Sequence, residues 1–304
     1  MSTPASPGLV TTACALATDA AGAKVVAAFD AAQIESILLK GPTIADWLYP
    51  GELRPYVDAD LLVSPDQVMR AASVLEDLGF SPFDRHVSPH AHPWIRGSDG
   101  AQVDLHVTIW GPHRPAQRVW EELRRSVEVR RIAAIHVQVL NQPARTLHVA
   151  LHAAQHRDNR PQTREDLRRA IDGAPLEVWL EAERLADRLW ALGEMSDGLL
   201  LEPAGQALLE CLPLARAAAM VNHEQIPLAI GFTRIAEASG WRAKARVLSG
   251  VFARDLLASE DRPAPSGVVD VALARIRRVF RLAVGIPRTL SVWRRARRHP
   301  DIRR

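Results

Sequence analysis

Asp58 and Asp60 stand two residues apart in the segment Arg54-Pro-Tyr-Val-Asp58-Ala-Asp60-Leu-Leu-Val63, and further along the chain Val103-Asp104-Leu-His106-Val107 repeats the alternation. In a strand successive side chains point to opposite faces, so Asp58 and Asp60 share one side, about 6.5 to 7 Å apart, while Val57, Ala59 and Leu61 take the other. Asp104 and His106 likewise share a face, with Val103, Leu105 and Val107 turned inward. If the two strands pair, the third carboxylate comes within roughly 5 Å of one of the first two. Three ionised carboxylates that close repel one another, and the site destabilises the fold unless a proton or a metal compensates. Mg²⁺ fits such a cluster, because it takes oxygen ligands and binds through a few carboxylates together with substrate phosphates. The alternative is an ordinary solvated strand, since Asp-x-Asp by itself is common in loops and turns.

The elements that must hold these residues can be read along the chain. Residues 8–33 are rich in Ala and Val and predict a helix; 34–39 predict a short strand ending at Lys40-Gly41; Pro42 suits the first turn of a helix over 42–48. Strand residues 57–63 follow. Ser64-Pro65-Asp66-Gln67 predicts a capped helix start closed by Gly79. Residues 80–85 and 92–96 predict strands, Ser98-Asp99-Gly100 a tight turn into a strand over 101–109, 114–125 a helix, and 127–140 one or two strands. Beyond Pro143 the pattern is helical, at about 145–158, 163–172, 175–193, 203–221, 234–259 and 267–283. The fold class expected is therefore α+β, a small mixed sheet with flanking helices and then a largely helical C-terminal region. The domains expected are a core over 1–143 and a helical region with a basic tail over 144–304.

At 304 residues, with 47% hydrophobic but only 5% aromatic content, Ala, Leu and Val must do most of the packing. Cys14 and Cys211 match no metal or redox spacing and read as apolar fillers. No signal-type start and no span of uncharged apolar residues is expected, which predicts a cytoplasmic protein. The net charge of +3 hides an asymmetry: residues 275–304 hold eleven arginines and one acid, a tail of +10 that leaves −7 for residues 1–274. Such a tail can meet nucleic acid, an anionic membrane surface or the acidic body of its own chain, but the favoured reading is a solvated helix end rich in arginine. Phe280 to Trp293 alternates apolar residues with arginine, but Pro287 interrupts a continuous amphipathic helix and favours a packing or docking segment.

The string Leu38-Leu-Lys40-Gly41, the stretch Leu48-Tyr49-Pro50, the Arg54-x-x-x-Asp58-x-Asp60-Leu-Leu-Val63 segment and the Val103-Asp104-Leu-His106 strand together resemble the uncharacterised bacterial nucleotidyltransferase family of the polymerase-beta-like superfamily, over roughly residues 34–170. The resemblance implies a nucleotidyltransferase fold in which Asp58, Asp60 and Asp104 hold two Mg²⁺ (or Mn²⁺) ions, with Asp104 on the catalytic ion and taking the acceptor proton. It implies a nucleoside triphosphate as substrate. In-line attack on an α-phosphate charges both attacking and leaving oxygens, and two cations can stabilise both. Lys40 and Gly41 fit beside this as phosphate contacts, since glycine at a strand end lets a phosphate approach the backbone and a helix opening at Pro42 offers N–H groups. The superfamily has Gly-Ser at this turn. Here Pro42-Thr43 follows Gly41, so Thr43 either replaces the serine hydroxyl or that contact is lost. Arg54 is a candidate triphosphate contact; the plainer readings are a partner for Glu52 and, for Lys40, a surface lysine.

His148, His152 and His156 recur at every fourth residue and make one stripe on a helix, with Asp158 close by. They lack the glutamate of the zinc-protease pattern, and the stripe is expected to pack against the catalytic face or line the acceptor pocket, with His106, His152 and His156 the acceptor-side candidates. The resemblance adds an Asp-Leu pair after such a helix, matched by Asp166-Leu167. His86, His90 and His92 lie in a Pro-containing loop where a chance cluster is the default and zinc the minor alternative. His106 either hydrogen-bonds a ligand or carboxylate or is a buried, satisfied histidine. The function expected is Mg²⁺-dependent transfer of a nucleoside monophosphate to a hydroxyl-type acceptor on a protein, small molecule or RNA. The rivals are an inactive nucleotide- or partner-binding module on the same fold and a nucleic-acid-binding protein acting through the arginine tail.

Overall fold

The computed structural model describes residues 6–83, 90–157 and 160–223. His86, Asp158, the helices expected at 234–259 and 267–283 and the arginine tail lie outside the described residues. The N-terminal helix α1 (Pro7–Ala31) starts at the Ser6 cap, whose hydroxyl accepts from Leu9 N–H, and it carries Val25, Val26 and Phe29 onto the sheet. Gly8–Ala31 is long and apolar enough to cross a membrane by length and composition alone, although Asp19, Lys24 and Asp30 interrupt it, so it is not the uncharged apolar run whose absence was expected. Strand β1 (Ser36–Leu38) leads through Gly41 into α2 (Pro42–Leu48), and then come β2 (Asp58–Val63) and α3 (Val68–Asp77). The helix expected to be capped by Ser64 starts three residues later, with Gln67 at the cap position. Ser64 to Gln67 make a turn closed by Gln67 N–H on the Ser64 carbonyl, and the Ser64 hydroxyl is spent on Asp66.

Strands β3 (Phe80–Pro82), β4 (Ala91–Arg96) and β5 (Gln102–His106), helix α4 (Ala116–Leu123) and the hairpin β6 (Val127–Ile132)–β7 (Ile135–Leu140) complete the sheet region. The hairpin turns on Ala133 and Ala134, both at positive φ. The helices after it are α5 (Gln142–His156), α6 (Pro161–Gly173), α7 (Leu176–Leu189), α8 (Leu192–Leu199), α9 (Pro203–Leu209) and α10 (Pro213–His223). Two predicted helices break. The one expected over 175–193 ends where Trp190 turns left-handed at φ 58, and the one expected over 203–221 splits before Pro213, which cannot sit inside a helix.

The seven strands run in the order β3-β4-β5-β2-β1-β7-β6. The sheet is mixed, with β2 parallel to β5 and β1 parallel to β7, the other pairs being antiparallel. Alternation sends Ala59, Leu61 and Val63 of β2 and Val103 and Leu105 of β5 into a core beneath α1 and α3. The opposite face meets a second core in which Ile37, Leu39 and Leu62 pack with α2, α4 and the later helices. Helix α5 is buried nearly all round, from Ala144 through Leu147 and Leu151 to Ala154, as expected of a helix enclosed by protein. Each of its leucines contributes about 1.5 to 3 kcal/mol by leaving water. The strand-rich part does give way to helices between Leu140 and Gln142, close to Pro143, but these helices share a core with the strands. The compact unit accordingly runs on through these helices as far as Ala215.

Candidate active site

The parallel register of β2 on β5 places Asp60 opposite Asp104 and Leu62 opposite His106. Asp58, two residues before Asp60, lies on the same face and opposite Gln102. Lys40 follows β1, where Leu39 N–H donates to the Asp60 carbonyl, and its Nζ reaches Asp60 Oδ1 at 2.9 Å. His106 Nε2 lies 3.0 Å from the same oxygen. Asp60, Asp104 and His106 each turn one ligand-type atom inward so that the three lie within 4.8 Å of one another. Local sequence set the two alternations; the strand pairing brought them together.

The charges explain one another. Burial would raise the Asp60 pKa, but Lys40 and His106 outweigh it and hold the carboxyl well below the usual range. Asp58 is pushed up to about 6 by the neighbouring Asp60 and then by burial. Asp104 is raised by burial and by Asp60. Burial works against the Lys40 charge, yet Asp60, Asp58 and Asp104 keep its pKa above the ordinary value. One ammonium thus answers three carboxyl groups. This deficit, in a donor set of carboxylate oxygens, fits a bound divalent cation.

Helix α5 covers this face with the histidine stripe. His148 and His152 rings stack at 6.0 Å between centroids, and His156 meets His152 edge-on at 4.7 Å. Burial and then Lys40 lower His148 to about 3, burial and then Arg160 lower His156 to about 4, and burial holds His152 well below its ordinary value. The stripe is therefore a row of neutral imidazoles above the acidic cluster. His90 joins it, stacking on His106 at 6.2 Å and bonded to Gln155 at 3.2 Å. In the sequence His90 reads as part of a chance loop cluster, because its neighbours along the chain say nothing of the β4–β5 pairing that sets Ala91 opposite His106. His92, from the same loop cluster, is exposed on β4.

Other expected residues serve differently. Gly41 holds φ 72 at the strand end, a left-handed turn that glycine permits, beside the Tyr56 ring. Thr43 is buried and its hydroxyl donates to the Lys40 carbonyl at 3.4 Å, so it braces the turn. The amides of Ile44 and Ala45 are spent on the Gly41 carbonyl. Arg54 is the clearest correction. It is buried, and its Nε and one amino group grip Asp166 at 3.0 and 2.6 Å, while Tyr49 donates to the same carboxylate at 2.7 Å. That fork ties the segment before β2 to α6, and those donors are not open to a triphosphate. Glu52 pairs with Arg169 instead. The pairing partner of Arg54 lies far along the chain, so spacing gave no sign of it.

Asp58, Asp60 and Asp104 share one face of a mixed sheet, with Lys40 on Asp60. Residues 11–192 match the model of the family described as an uncharacterised nucleotidyltransferase, and the chain belongs to that family. It is accordingly a nucleotidyltransferase enzyme. No curated protein matches the chain. Among solved structures it is similar to the antibiotic-resistance factor ANT(2'')-Ia, at 20% identity over 60% of this chain and 95% of that one, with a TM-score of 0.42. It is also similar to the lincosamide antibiotic adenylyltransferase LnuA, at 14% identity over 50% and 94% with a TM-score of 0.36. A third likeness is an antigenic nucleotidyltransferase-like protein from Paracoccidioides brasiliensis, at 14% identity over 66% and 93% with a TM-score of 0.39. The family assignment rests on the family model alone.

Proposed function

We propose that this enzyme transfers a nucleoside monophosphate from a nucleoside triphosphate to a hydroxyl-type acceptor on a protein, a small molecule or an RNA, releasing pyrophosphate with a divalent cation, Mg²⁺ or Mn²⁺, in attendance. The observation that carries this reading is the register pairing Asp60 with Asp104 beside Asp58 and Lys40. Asp58, Asp60 and Asp104 would hold the cation, which when bound supplies positive charge against the phosphate oxygens. The remaining chemistry belongs to the side chains. Asp104, its pKa raised, is suited to take the acceptor hydroxyl's proton as the acceptor oxygen bonds to the α-phosphorus and the bond to pyrophosphate breaks. Lys40 offers its ammonium to the phosphates from the end of β1. The neutral stripe of His148, His152 and His156 shields this face from water and borders the acceptor, so that the elements from 144 onward select it.

The test is incubation of the protein with each of four α-labelled triphosphates, Mg²⁺ or Mn²⁺, and cell extract, followed by fractionation into protein, RNA and small molecules. Label should appear in one fraction, depend on the cation and vanish with Asp58→Asn. Label that is equal with and without the cation, or unchanged in the variant, removes the mechanism, and no label in any fraction leaves the inactive binding module.

A further inference from the structure

We infer that His106 supplies an imidazole nitrogen to the divalent ion held by Asp60 and Asp104, and that this site therefore prefers a first-row transition ion of the Mn²⁺ type to Mg²⁺. The inference rests on the transferase reading for the presence of an ion and adds the identity of a ligand and the class of metal.

Three observations carry it. The β2–β5 register places His106 one alternation beyond Asp104 on the same face, and its Nε2 already contacts the Asp60 oxygen at 3.0 Å. Asp60, Asp104 and His106 form the one group of metal-ligating side chains among the described residues whose ligand atoms gather within 4.8 Å; Asp58 stands outside it. Finally, His106 is only 7% exposed, and its Nδ1 is buried without a hydrogen-bond partner among the described residues. With Nδ1 unbonded, the Nε2–Asp60 contact is the one hydrogen bond given to this ring among the described residues, so Nε2 is the nitrogen turned to the carboxylates where an ion would sit. An all-carboxylate site suits Mg²⁺, a hard ion that keeps oxygen ligands. An imidazole among them shifts the preference toward transition ions, whose affinity for nitrogen is greater.

The experiment uses the full chain and Mn²⁺ alone. Pulsed electron paramagnetic resonance of the bound ion should show coupling to a directly ligated nitrogen, and labelling the protein with ¹⁵N-histidine should change that coupling. The His106→Gln and His106→Asn proteins should lose the coupling and bind Mn²⁺ at least about tenfold more weakly, since losing a ligand costs no less than losing a group that only orients one. Their Mg²⁺ affinity should move less. Mn²⁺ bound with no nitrogen coupling in the wild type would overturn the proposal without recourse to any variant, and so would coupling that persists in both variants. Transferase activity is read separately: label transfer without nitrogen coupling refutes this inference alone, and coupling without label transfer refutes the transferase reading alone.

Discussion

Two aspartates of one strand are predicted to behave in opposite ways. Asp60 neutralises the buried end of Lys40 and contacts His106, so Asp60→Asn leaves an ammonium short of its partner and should cost about 3 kcal/mol. The environment of Asp58 resists its ionisation. Its folded pKa, about 6, lies above the ordinary 3.8, so between those values the folded state keeps a proton that the unfolded chain has released. In the presence of a chelator, stability due to this group is greatest below pH 4 and is lost as the pH rises to 6. Asp58→Asn should therefore match the wild type near pH 4 and exceed it above pH 6 by about 1 to 3 kcal/mol. Urea denaturation at a series of pH values measures both effects; a flat difference between Asp58→Asn and wild type would show that the carboxyl is not strained. Both variants should lack transfer. The carboxylates and Lys40 were legible as site candidates because strand alternation and residue type are local, whereas the commitment of Arg54 to Asp166 was not, since that pair depends on a distant helix.

Elements hold the site through a few contacts that fix their approach. The Arg54–Asp166 pair, with Tyr49 on the same carboxylate, fastens α6 to the chain that enters β2. Asp166→Ala leaves a guanidinium buried without its partner and should lower stability by about 3 to 5 kcal/mol, while Arg54→Met with Asp166→Leu should recover much of the loss. Denaturant midpoints of the two single variants and the double variant measure this. The α5–α8 crossing depends on Gly198, where an added Cβ would lie 2.1 Å from the Ala150 carbonyl oxygen. Gly198→Ala should force the helices apart and destabilise the protein by more than about 2 kcal/mol, read as a drop in Tm. In the sequence Gly198 looks like an ordinary small residue in a helix, and α8 itself went unrecognised because Trp190 ends α7 in a left-handed turn that its type does not announce. Pro213, by contrast, is a helix breaker in plain view.

At the scale of the whole molecule, the helices after β7 are built into the core that also holds strand residues, so Met1–Ala215 make one unit. A fragment ending at His223, which retains the bonds of Leu214 and Ala215 N–H to Glu183, should unfold in a single cooperative transition. Calorimetry with separate transitions for the sheet and the helices would instead support division near residue 143. The amino-acid sequence by itself determined the acidic strands, their alternation and the order of sheet-forming and helical stretches, because these depend on side-chain type and a period of two or 3.6 residues. Only the tertiary structure decided that β2 lies parallel to β5 in the register that sets Asp60 against Asp104, that His106 and His90 close on this cluster, and that Arg54 is spent on Asp166. Each of those is a meeting of segments distant along the chain, and local preference carries no information about which partner a strand edge or a buried charge will find once the core packs.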